Sequence, residues 1–243
     1  MTSPARGALE GRSALVTGAS RGIGAEVARG LARQGARVAL LARGEQALRA
    51  LADELGGDAL VVPCDVRDAR ATEQAIGTLT ERLDGGPDIV VNNAGAFIIG
   101  AAHKTSVDDF RATLEINLMA PFALVRAFLP AMRKRARGHV VTIGSVADRT
   151  IYPGNAAYSA SKYGLRAMHE VLRAELRGTG VRASLVSPGP VDTALWDEID
   201  PDNQPGFTKR SEMLSPEAVA DAILYVVTAP STTNVDELRL SRS

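Results

Sequence analysis

The chain has 243 residues, of which 45% are hydrophobic and 23% are charged, and this composition is typical of a globular protein that folds around its own core. Twenty-eight basic residues balance 28 acidic ones, so the net charge indicates neither a nucleic-acid partner nor an anionic membrane surface. Cys64 is the single cysteine and excludes an internal disulfide. Since we find no apolar leader, and no apolar run near the ~18 residues that span a bilayer, we expect a cytoplasmic protein without membrane contact.

Short β-rich runs alternate with longer helical patterns in the first half of the chain. Apolar residues recur at helical spacing in the helical segments, as Ile23, Val27 and Leu31 do. The pattern predicts strands at 13–17, 37–41, 59–62 and 89–91, and helices at 22–34, 45–55 and 70–83.

A long helix is predicted next, from 107 to 133, with Ser106 as its N-cap and Asp109 completing a variant of the capping box. Pro121 is expected to distort this helix near its middle. Strands at 139–143, 182–187 and 237–240 and helices at 158–177 and 216–227 complete the pattern. Alternating strands and helices predict one domain, residues 1–243, with a parallel sheet that helices cover on both faces.

One segment, from about 192 to 213, departs from this alternation. It contains Pro201, Pro205 and Gly206 among polar residues and follows the end of a predicted strand. Ligands bind beyond the carboxyl ends of the strands in such sheets, so we interpret this segment as a mobile substrate lid. The alternative is a disordered surface loop.

A glycine-rich turn joins the first strand to the first helix. It reads Thr17-Gly-Ala-Ser-Arg-Gly-Ile-Gly24. Glycines allow a tight turn and close approach of a pyrophosphate, and the N-terminus of the helix supplies free N–H groups. An ordinary strand–helix turn is the alternative. No Lys-Ser/Thr pair ends the motif, which disfavours a P-loop hydrolase.

The end of the second strand bears on the choice between NAD and NADP. NAD sites usually have a carboxylate there for the ribose 2′-hydroxyl, but this stretch reads Leu40-Leu-Ala-Arg43. We expect Arg43 and Arg21 to flank a 2′-phosphate, which predicts NADP(H). The alternative is that both arginines are merely solvated.

Tyr158 and Lys162 are four residues apart and therefore share one face of a helix. An ammonium group beside a phenol favours the phenolate, which predicts a lowered pKa for Tyr158 and a proton donor and acceptor for neutral pH. Ser145 follows the fifth strand, where a hydroxyl can bond a carbonyl oxygen. The alternatives are that Tyr158 and Lys162 form only a surface pair and that Ser145 is an ordinary turn or cap residue.

Polar residues also follow the third and fourth strands. Asp65 is within reach of an adenine amino group, and Asn93 to Gly95 can brace the adjoining strand and admit the adenosine. Asn117 interrupts the apolar stripe of the long helix and needs a partner, so it either stabilises a kink, holds a water molecule or is satisfied within the core.

Together these segments resemble the short-chain dehydrogenase/reductase family over essentially the full chain. The matching segments are 17–24, 64–66, 92–95, Asn117, Ser145, 158–162 and 188–193. The resemblance implies a doubly wound, Rossmann-like three-layer sandwich with a seven-stranded parallel sheet. It also implies an enzyme acting on CH–OH groups, which interconverts an aldehyde or ketone and its alcohol by hydride transfer.

The resemblance implies roles for the matched residues. Tyr158 would exchange the proton with the substrate, Lys162 would bond the nicotinamide ribose, Ser145 would orient the carbonyl, and Asn117 would hold a water that continues a proton relay. The motifs and the resemblance together predict NADP(H) contacts at Gly18, Ser20, Arg21, Gly22, Ile23, Gly24, Arg43, Asp65, Val66, Asn93, Ala94, Gly95, Tyr158, Lys162, Pro188, Gly189, Val191 and Thr193.

Two other classes of protein are less favoured by the sequence. All four catalytic positions are filled, which disfavours a catalytically silent NADP(H) sensor. The three histidines are dispersed without ligand spacing, so no metal is expected, and His169 is interpreted as a surface or interface residue.

The expected partners are a small carbonyl or alcohol substrate and further copies of the chain. The substrate is expected to be partly apolar because of Ile98, Ile99, Ile151, Tyr152, Leu195 and Trp196. The resemblance implies a homodimer or homotetramer that pairs through the long central helices, although the tail lacks the glycine-rich, hydrophobic segment of many tetrameric relatives.

Overall fold

The computed structural model describes residues 7–56 and 58–243, and a seven-stranded parallel sheet crosses it in the order β3-β2-β1-β4-β5-β6-β7. The order reverses between β1 and β4, which is the topological switch point of a doubly wound sheet. The predicted fold class is thereby confirmed. The strands are β1 (Ser13–Thr17), β2 (Arg37–Ala42), β3 (Leu60–Pro63), β4 (Ile89–Asn92), β5 (Gly138–Ile143), β6 (Val181–Pro188) and β7 (Glu237–Leu240).

Seven α-helices lie on the two faces of this sheet in the described part of the chain. Their ends fall within two residues of the predicted ones, except in the long central helix, which is divided. They are α1 (Gly22–Arg33), α2 (Glu45–Leu55), α3 (Ala69–Arg82), α4 (Val107–Leu114), α5 (Ala120–Lys134), α6 (Ala156–Glu175) and α7 (Pro216–Thr228).

Alternate strand residues build two separate hydrophobic cores. Val38 and Leu40 of β2 pack in the core that contains α1, α2 and α7, whereas Ala39 and Leu41 pack in the core that contains α3, α5 and α6. Successive side chains of a strand point to opposite faces, so the sheet is buried on both sides. Its carboxyl-terminal edge is left for a ligand.

The break in the central helix is a π-helical turn, Glu115–Met119, between α4 and α5. The N–H of Ala120 bonds the carbonyl of Glu115, five residues earlier. Pro121 has no N–H with which to bond the carbonyl of Asn117, so the regular ladder cannot continue there. The predicted distortion therefore occurs, and it lies just before Pro121.

The segment Val107–Lys134 was not expected to resemble a membrane span, but it is 28 residues long and contains an 18-residue stretch with a mean hydropathy of 1.4, which is long and apolar enough for one. Leu124, Phe128 and Met132 are buried, in the core shared with β4 and β5. One face of this segment therefore packs in the core, as in a helix that covers a sheet.

Candidate active site

A cavity of about 1140 Å³ opens at the carboxyl-terminal edge of the sheet. Residues that follow β1, β2, β3, β4, β5 and β6 all contribute to its wall. Every residue predicted to contact NADP(H) lines this cavity, with the exception of Gly24. The chain therefore brings the scattered motifs together where such sheets bind ligands.

Gly24 lies behind the cavity wall and permits close packing there. A Cβ atom on Gly24 would collide with the carbonyl oxygen of Gly18 and lie 2.6 Å from Nδ2 of Asn93. Gly18 itself has φ +66°, a left-handed conformation that favours glycine. The two glycines thus bring the start of α1 against the turn, and Gly24 acts through packing instead of direct contact.

Thr17 and Asn93 hold the glycine-rich turn against the end of β4. The Thr17 hydroxyl accepts bonds from the N–H groups of Asn93 (3.0 Å) and Ala94 (2.9 Å). Nδ2 of Asn93 donates to the carbonyl of Thr17 at 2.8 Å. The expectation that Asn93 braces the adjoining strand agrees with these bonds.

Charged residues mark the end of the cavity beside β1, β2 and β3. Arg21 and Arg43 are exposed, and within 7–56 and 58–243 neither forms a salt bridge. Asp65, by contrast, accepts bonds from the side chain of Arg67, Nε at 3.1 Å and Nη2 at 2.5 Å. Those bonds lower the pKa of Asp65, so its carboxylate is charged and already partnered.

Tyr158 and Lys162 face the same cavity from the first turns of α6. Nζ of Lys162 lies 5.7 Å from the centroid of the Tyr158 ring and donates to the carbonyl of Ile143 at 2.9 Å. Ser145 lines the cavity just beyond β5, and its hydroxyl caps the 3-10 turn Val146–Asp148. The three predicted side chains therefore share one wall.

The direction of the Tyr158 pKa differs from the expected one. Burial raises the pKa of Tyr158, and a hydrogen bond with the Ser145 side chain offsets this only partly. The expected lowering needs Lys162 beside a positively charged nicotinamide and stays a prediction; in the structure the ammonium group donates to the Ile143 carbonyl. Burial also lowers the pKa of Lys162, to about 8.

Asn117 lies behind the cavity and does not line it. Its Oδ1 accepts from the N–H of Ala96 at 2.8 Å, and its Nδ2 donates to the Ala96 carbonyl and to Oγ of Ser161, each at 2.9 Å. The side chain is thus a brace between the π turn, the loop after β4 and α6. The side chain is therefore satisfied within the protein, and the expectation that Asn117 holds a relay water stays a prediction.

Asp148 was missed by the sequence reasoning, although the spacing Ser145-x-x-Asp148 is that of a capping box. Its carboxylate has no exposure and accepts from Oγ of Ser187 and Nε of Arg149, each at 2.6 Å. Arg149 also pairs with Glu237 of β7 at 2.6 Å. This charged network fixes the loop that carries Ser145.

The segment predicted as a lid forms part of the cavity wall. It contains three 3-10 turns, Ala194–Trp196, Pro201–Asn203 and Arg210–Glu212, and Leu195, Trp196 and Phe207 contribute to the lining. The Trp196 ring lies 5.1 Å from that of Phe97, which lies 4.7 Å from that of Tyr158. The substrate end is therefore more aromatic than predicted.

Three details of the predicted surroundings were wrong. Ile98 does not line this cavity, and Ile151 is 70% exposed and lines a smaller, separate cavity. His169 is buried instead of lying at the surface, and its Nδ1 is 2.9 Å from Oγ1 of Thr142. Phe97 and Phe207 were not singled out, because aromatic residues in irregular segments give no periodic signal.

A family model described as short chain dehydrogenase matches residues 12–204. The chain belongs to the short-chain dehydrogenase family. It is accordingly an oxidoreductase, and the family resemblance seen in the sequence is confirmed.

Individual relatives cover most of the chain. A glycine betaine reductase of Emericella nidulans is 37% identical over 239 residues, which is 96% of this chain but 19% of that protein's length. Among solved structures, a metagenomic short-chain oxidoreductase in complex with NADP has a TM-score of 0.83 and 34% identity, covering 97% of this chain and 99% of its own. A closed form of serine dehydrogenase complexed with NADP+ has a TM-score of 0.84 and 34% identity, covering 94% of each chain.

Proposed function

We propose that the protein is an NADP(H)-dependent oxidoreductase that interconverts an aldehyde or ketone with its alcohol, with Tyr158 as the acid/base. The observation that carries this proposal is the shared wall of Tyr158, Lys162 and Ser145 in a cavity that begins at the glycine-rich turn. A proton donor, a cation and an orienting hydroxyl thus surround one place where a carbonyl can lie.

The residues at the other end of the cavity fit a dinucleotide phosphate. The glycine-rich turn places the N-terminus of α1, with its free N–H groups, at the cavity, where a pyrophosphate can bind. Gly18 lets the turn pack closely on the loop after β4, since a Cβ atom there would lie only 3.0 Å from Ala94 and Asn93 atoms. Arg21 and Arg43, which form no salt bridge with the residues that the structure describes, offer guanidinium groups to a 2′-phosphate, and this favours NADP(H) over NAD(H). The NADP complexes of two structural relatives support the same preference.

When bound, NADPH supplies the hydride for the carbonyl carbon. The Ser145 hydroxyl orients the carbonyl oxygen and stabilises the negative charge that develops on it. Tyr158 donates its phenolic proton to that oxygen. Lys162, positively charged below a pKa of about 8, holds the ribose hydroxyls and lies near the phenol as it becomes negative.

The electrostatics of the phenol favour the reductive direction. Burial raises the pKa of Tyr158, so the phenol carries its proton at neutral pH and can donate it. Oxidation of an alcohol requires the phenolate, which burial makes more costly. The protonated phenol is the form that carbonyl reduction uses.

The Tyr158→Phe variant tests this proposal. It keeps the ring that packs on Phe97 but removes the proton donor, so kcat for reduction should fall at least ~100-fold while NADPH binding, measured by titration, stays unchanged. Tyr163→Phe is the matched control, because Tyr163 lies on the same helix, is 38% exposed and does not line the large cavity. Full turnover by Tyr158→Phe would refute the role assigned to Tyr158. If the protein is instead a catalytically silent sensor, the wild type should bind NADPH without turning over any carbonyl compound.

The names of the relatives bring two substrate chemistries to this site. Glycine betaine carries a trimethylammonium group and a carboxylate, and serine carries an amino group, a carboxylate and a hydroxyl. Both are candidates for the molecule that occupies the aromatic end of the cavity.

We also propose that two copies pair through α5 and α6. Met119 beside α5 and Phe122 within it are 55% and 48% exposed, and Val171 of α6 is 58% exposed. Apolar side chains of this size on adjoining helices are typical of a covered surface. Light scattering should give at least the mass of a dimer, and a monomer at micromolar concentration would contradict the pairing.

A further inference from the structure

Lys162 carries a buried ammonium group that has no carboxylate in direct contact. The residue is 6% exposed, and its Nζ donates to the Ile143 carbonyl at 2.9 Å. It forms no salt bridge with any residue in the part of the chain that the structure describes. Burial disfavours the charged form of a lysine. A negative charge nearby would offset that cost.

Asp148 places a buried carboxylate at the same edge of the sheet. Among the residues that the structure describes, the buried acidic ones are Asp88 and Asp148. Asp88 lies at the opposite edge, where the N–H of Ser13 at the start of β1 donates to it at 3.1 Å. Asp148 has no exposure and lies in the turn that follows β5. Its charge therefore acts on the reacting centre with little screening by solvent.

The ammonium group and the carboxylate lie against the same peptide group. Lys162 bonds the carbonyl of Ile143, and the next residue, Gly144, leaves room for the carboxylate. A Cβ atom on Gly144 would lie 2.7 Å from Oδ2 of Asp148 and 2.5 Å from Oγ of Ser187. The Ser187 hydroxyl donates to that same Oδ2 at 2.6 Å and holds it there. The two charges are thus too far apart for an ion pair but close enough to attract one another in a buried environment.

The other groups around Lys162 do not supply such a charge. Tyr158 lies on the same helix, and burial raises the pKa of its phenol, which is therefore neutral near pH 7. The charged residue of the π turn, Glu115, lies near Arg67. The lining arginines are beside β1 and β2, at the other end of the cavity.

The network around Asp148 keeps a net negative charge. Arg149 donates to Asp148 at 2.6 Å and pairs with Glu237 at the same distance. One guanidinium group between two carboxylates leaves the cluster with a charge of −1. Arg149 is 20% exposed and reaches toward β7, so the carboxylate of Asp148 is the member of the cluster that lies beside Gly144.

We propose that Asp148 is a positioning residue of the reacting centre, whose carboxylate is the counter-charge that keeps Lys162 in its ammonium form. This role rests on the proposed carbonyl reduction, in which the ammonium group holds the ribose hydroxyls and lies near the phenol as it becomes negative. The direction of the electrostatics agrees, since burial lowers the pKa of Lys162 to about 8 and the charge of Asp148 opposes that lowering. The same carboxylate accepts from the N–H of Ser145 at 3.4 Å.

Nuclear magnetic resonance of lysine labelled with 13C at Cε follows the charge of Lys162 without any substrate. The chain has four lysines, and the Lys162→Arg variant identifies the signal of Lys162 by its loss. In the wild type this signal should titrate near pH 8. In Asp148→Asn the midpoint should fall by at least ~0.5 pH unit, because the amide carries no charge. A midpoint equal to or above that of the wild type would overturn the proposal.

Two control variants separate charge from loss of structure. Asp88→Asn removes the other buried carboxylate, which pairs with Arg137 at 3.1 Å, and should leave the midpoint of Lys162 unchanged. Arg149→Gln breaks the same ion pair as Asp148→Asn but leaves the carboxylate, so the midpoint should not fall. A fall in either control as large as that in Asp148→Asn would trace the effect to a perturbed structure and contradict the counter-charge.

A second substitution keeps the test decisive if Asp148→Asn does not fold. Asp148→Ser removes the same charge with a smaller side chain, and its midpoint should also fall by at least ~0.5 pH unit. An unchanged midpoint there would rule out the coupling. Since the titration requires no turnover, its failure would leave the proposed carbonyl reduction standing. Full turnover by Tyr158→Phe, in contrast, would remove the acid/base role of Tyr158 but not the coupling between Asp148 and Lys162.

Discussion

Replacement of Asp148 by asparagine perturbs the charged network behind Ser145 with almost no change in shape. The carboxylate has no exposure, and its oxygens accept from Arg149, from Ser187 and, at 3.4 Å, from the N–H of Ser145. An amide has one accepting oxygen, so its NH2 group must face a donor on one side. The Ser187 hydroxyl can turn to accept from that group, but the bond from Arg149 or the bond from the Ser145 N–H is lost, and the pairing with Arg149 loses its negative charge.

The expected cost follows from these contacts. Removing one member of a buried ion pair costs ~3–5 kcal/mol, but Arg149 is 20% exposed and keeps Glu237 as a partner. We therefore take the lower end, about 3 kcal/mol. For a chain of this size each kcal/mol shifts Tm by roughly 2–4 °C, so Asp148→Asn should lower Tm by about 6–12 °C.

Thermal unfolding followed by circular dichroism measures this shift. Asp108→Asn is the matched control, because Asp108 also pairs with an arginine, Arg111, but its side chain is 89% exposed. Exposed pairs contribute little, so this control should move Tm by no more than about 2 °C. Equal shifts for the two variants would refute the reasoning that burial gives the Asp148 network its strength.

Three further predictions concern acid stability, the glycine-rich turn and cofactor choice. Burial lowers the pKa of His139 to about 3 and of His169 to about 4. Below pH 6.5 the unfolded chain therefore binds more protons than the folded one, and the free energy of unfolding should fall as the pH drops. At pH 5 each histidine should account for a loss of ~2 kcal/mol in that free energy. Urea unfolding of His169→Gln should therefore show a smaller loss between pH 7 and pH 5, and an unchanged loss would contradict the assignment. Gly24→Ala places a methyl group against the backbone of the turn and should weaken NADPH binding at least tenfold in a titration. Gly77→Ala is the control, because Gly77 has an open helical position; this change should leave NADPH binding unchanged and raise the free energy of unfolding by ~0.5–1 kcal/mol. Equal effects of the two changes on NADPH binding would count against the packing role of Gly24. Arg43→Asp should reduce kcat/KM for NADPH ~10-fold or more relative to NADH, and an unaltered preference would remove Arg43 from the 2′-phosphate site.

Local patterns were enough to identify the elements and much of the site. The alternation of strands and helices predicted every strand of the sheet, since side-chain periodicity and turn chemistry act over a few residues. The spacing of Tyr158 and Lys162 predicted a shared face, because helical geometry alone brings residues four apart together. The order of the motifs along the chain predicted that they would meet at one edge of the sheet.

Details that depend on residues distant in sequence were not predictable in this way. Asp148 was missed although it has the spacing of a capping box, and its buried network needs Ser187 of β6 and Glu237 of β7, which are distant in sequence. Phe207 reaches Trp196 only because the lid folds over the cavity, and residue periodicity in the sequence does not predict such a contact. Asn117 was identified as a buried polar residue in need of a partner, but Ala96 and Ser161 become its partners only when the loop and α6 meet.

The sequence by itself determined the fold class, the glycine-rich turn and the residue types at the reacting centre, because each depends on short-range geometry. Only the tertiary structure decided the electrostatics. Burial raises the pKa of Tyr158, and the ammonium group of Lys162 donates a hydrogen bond to the Ile143 carbonyl. A pKa depends on everything within several ångströms, and most of those neighbours come from other parts of the chain.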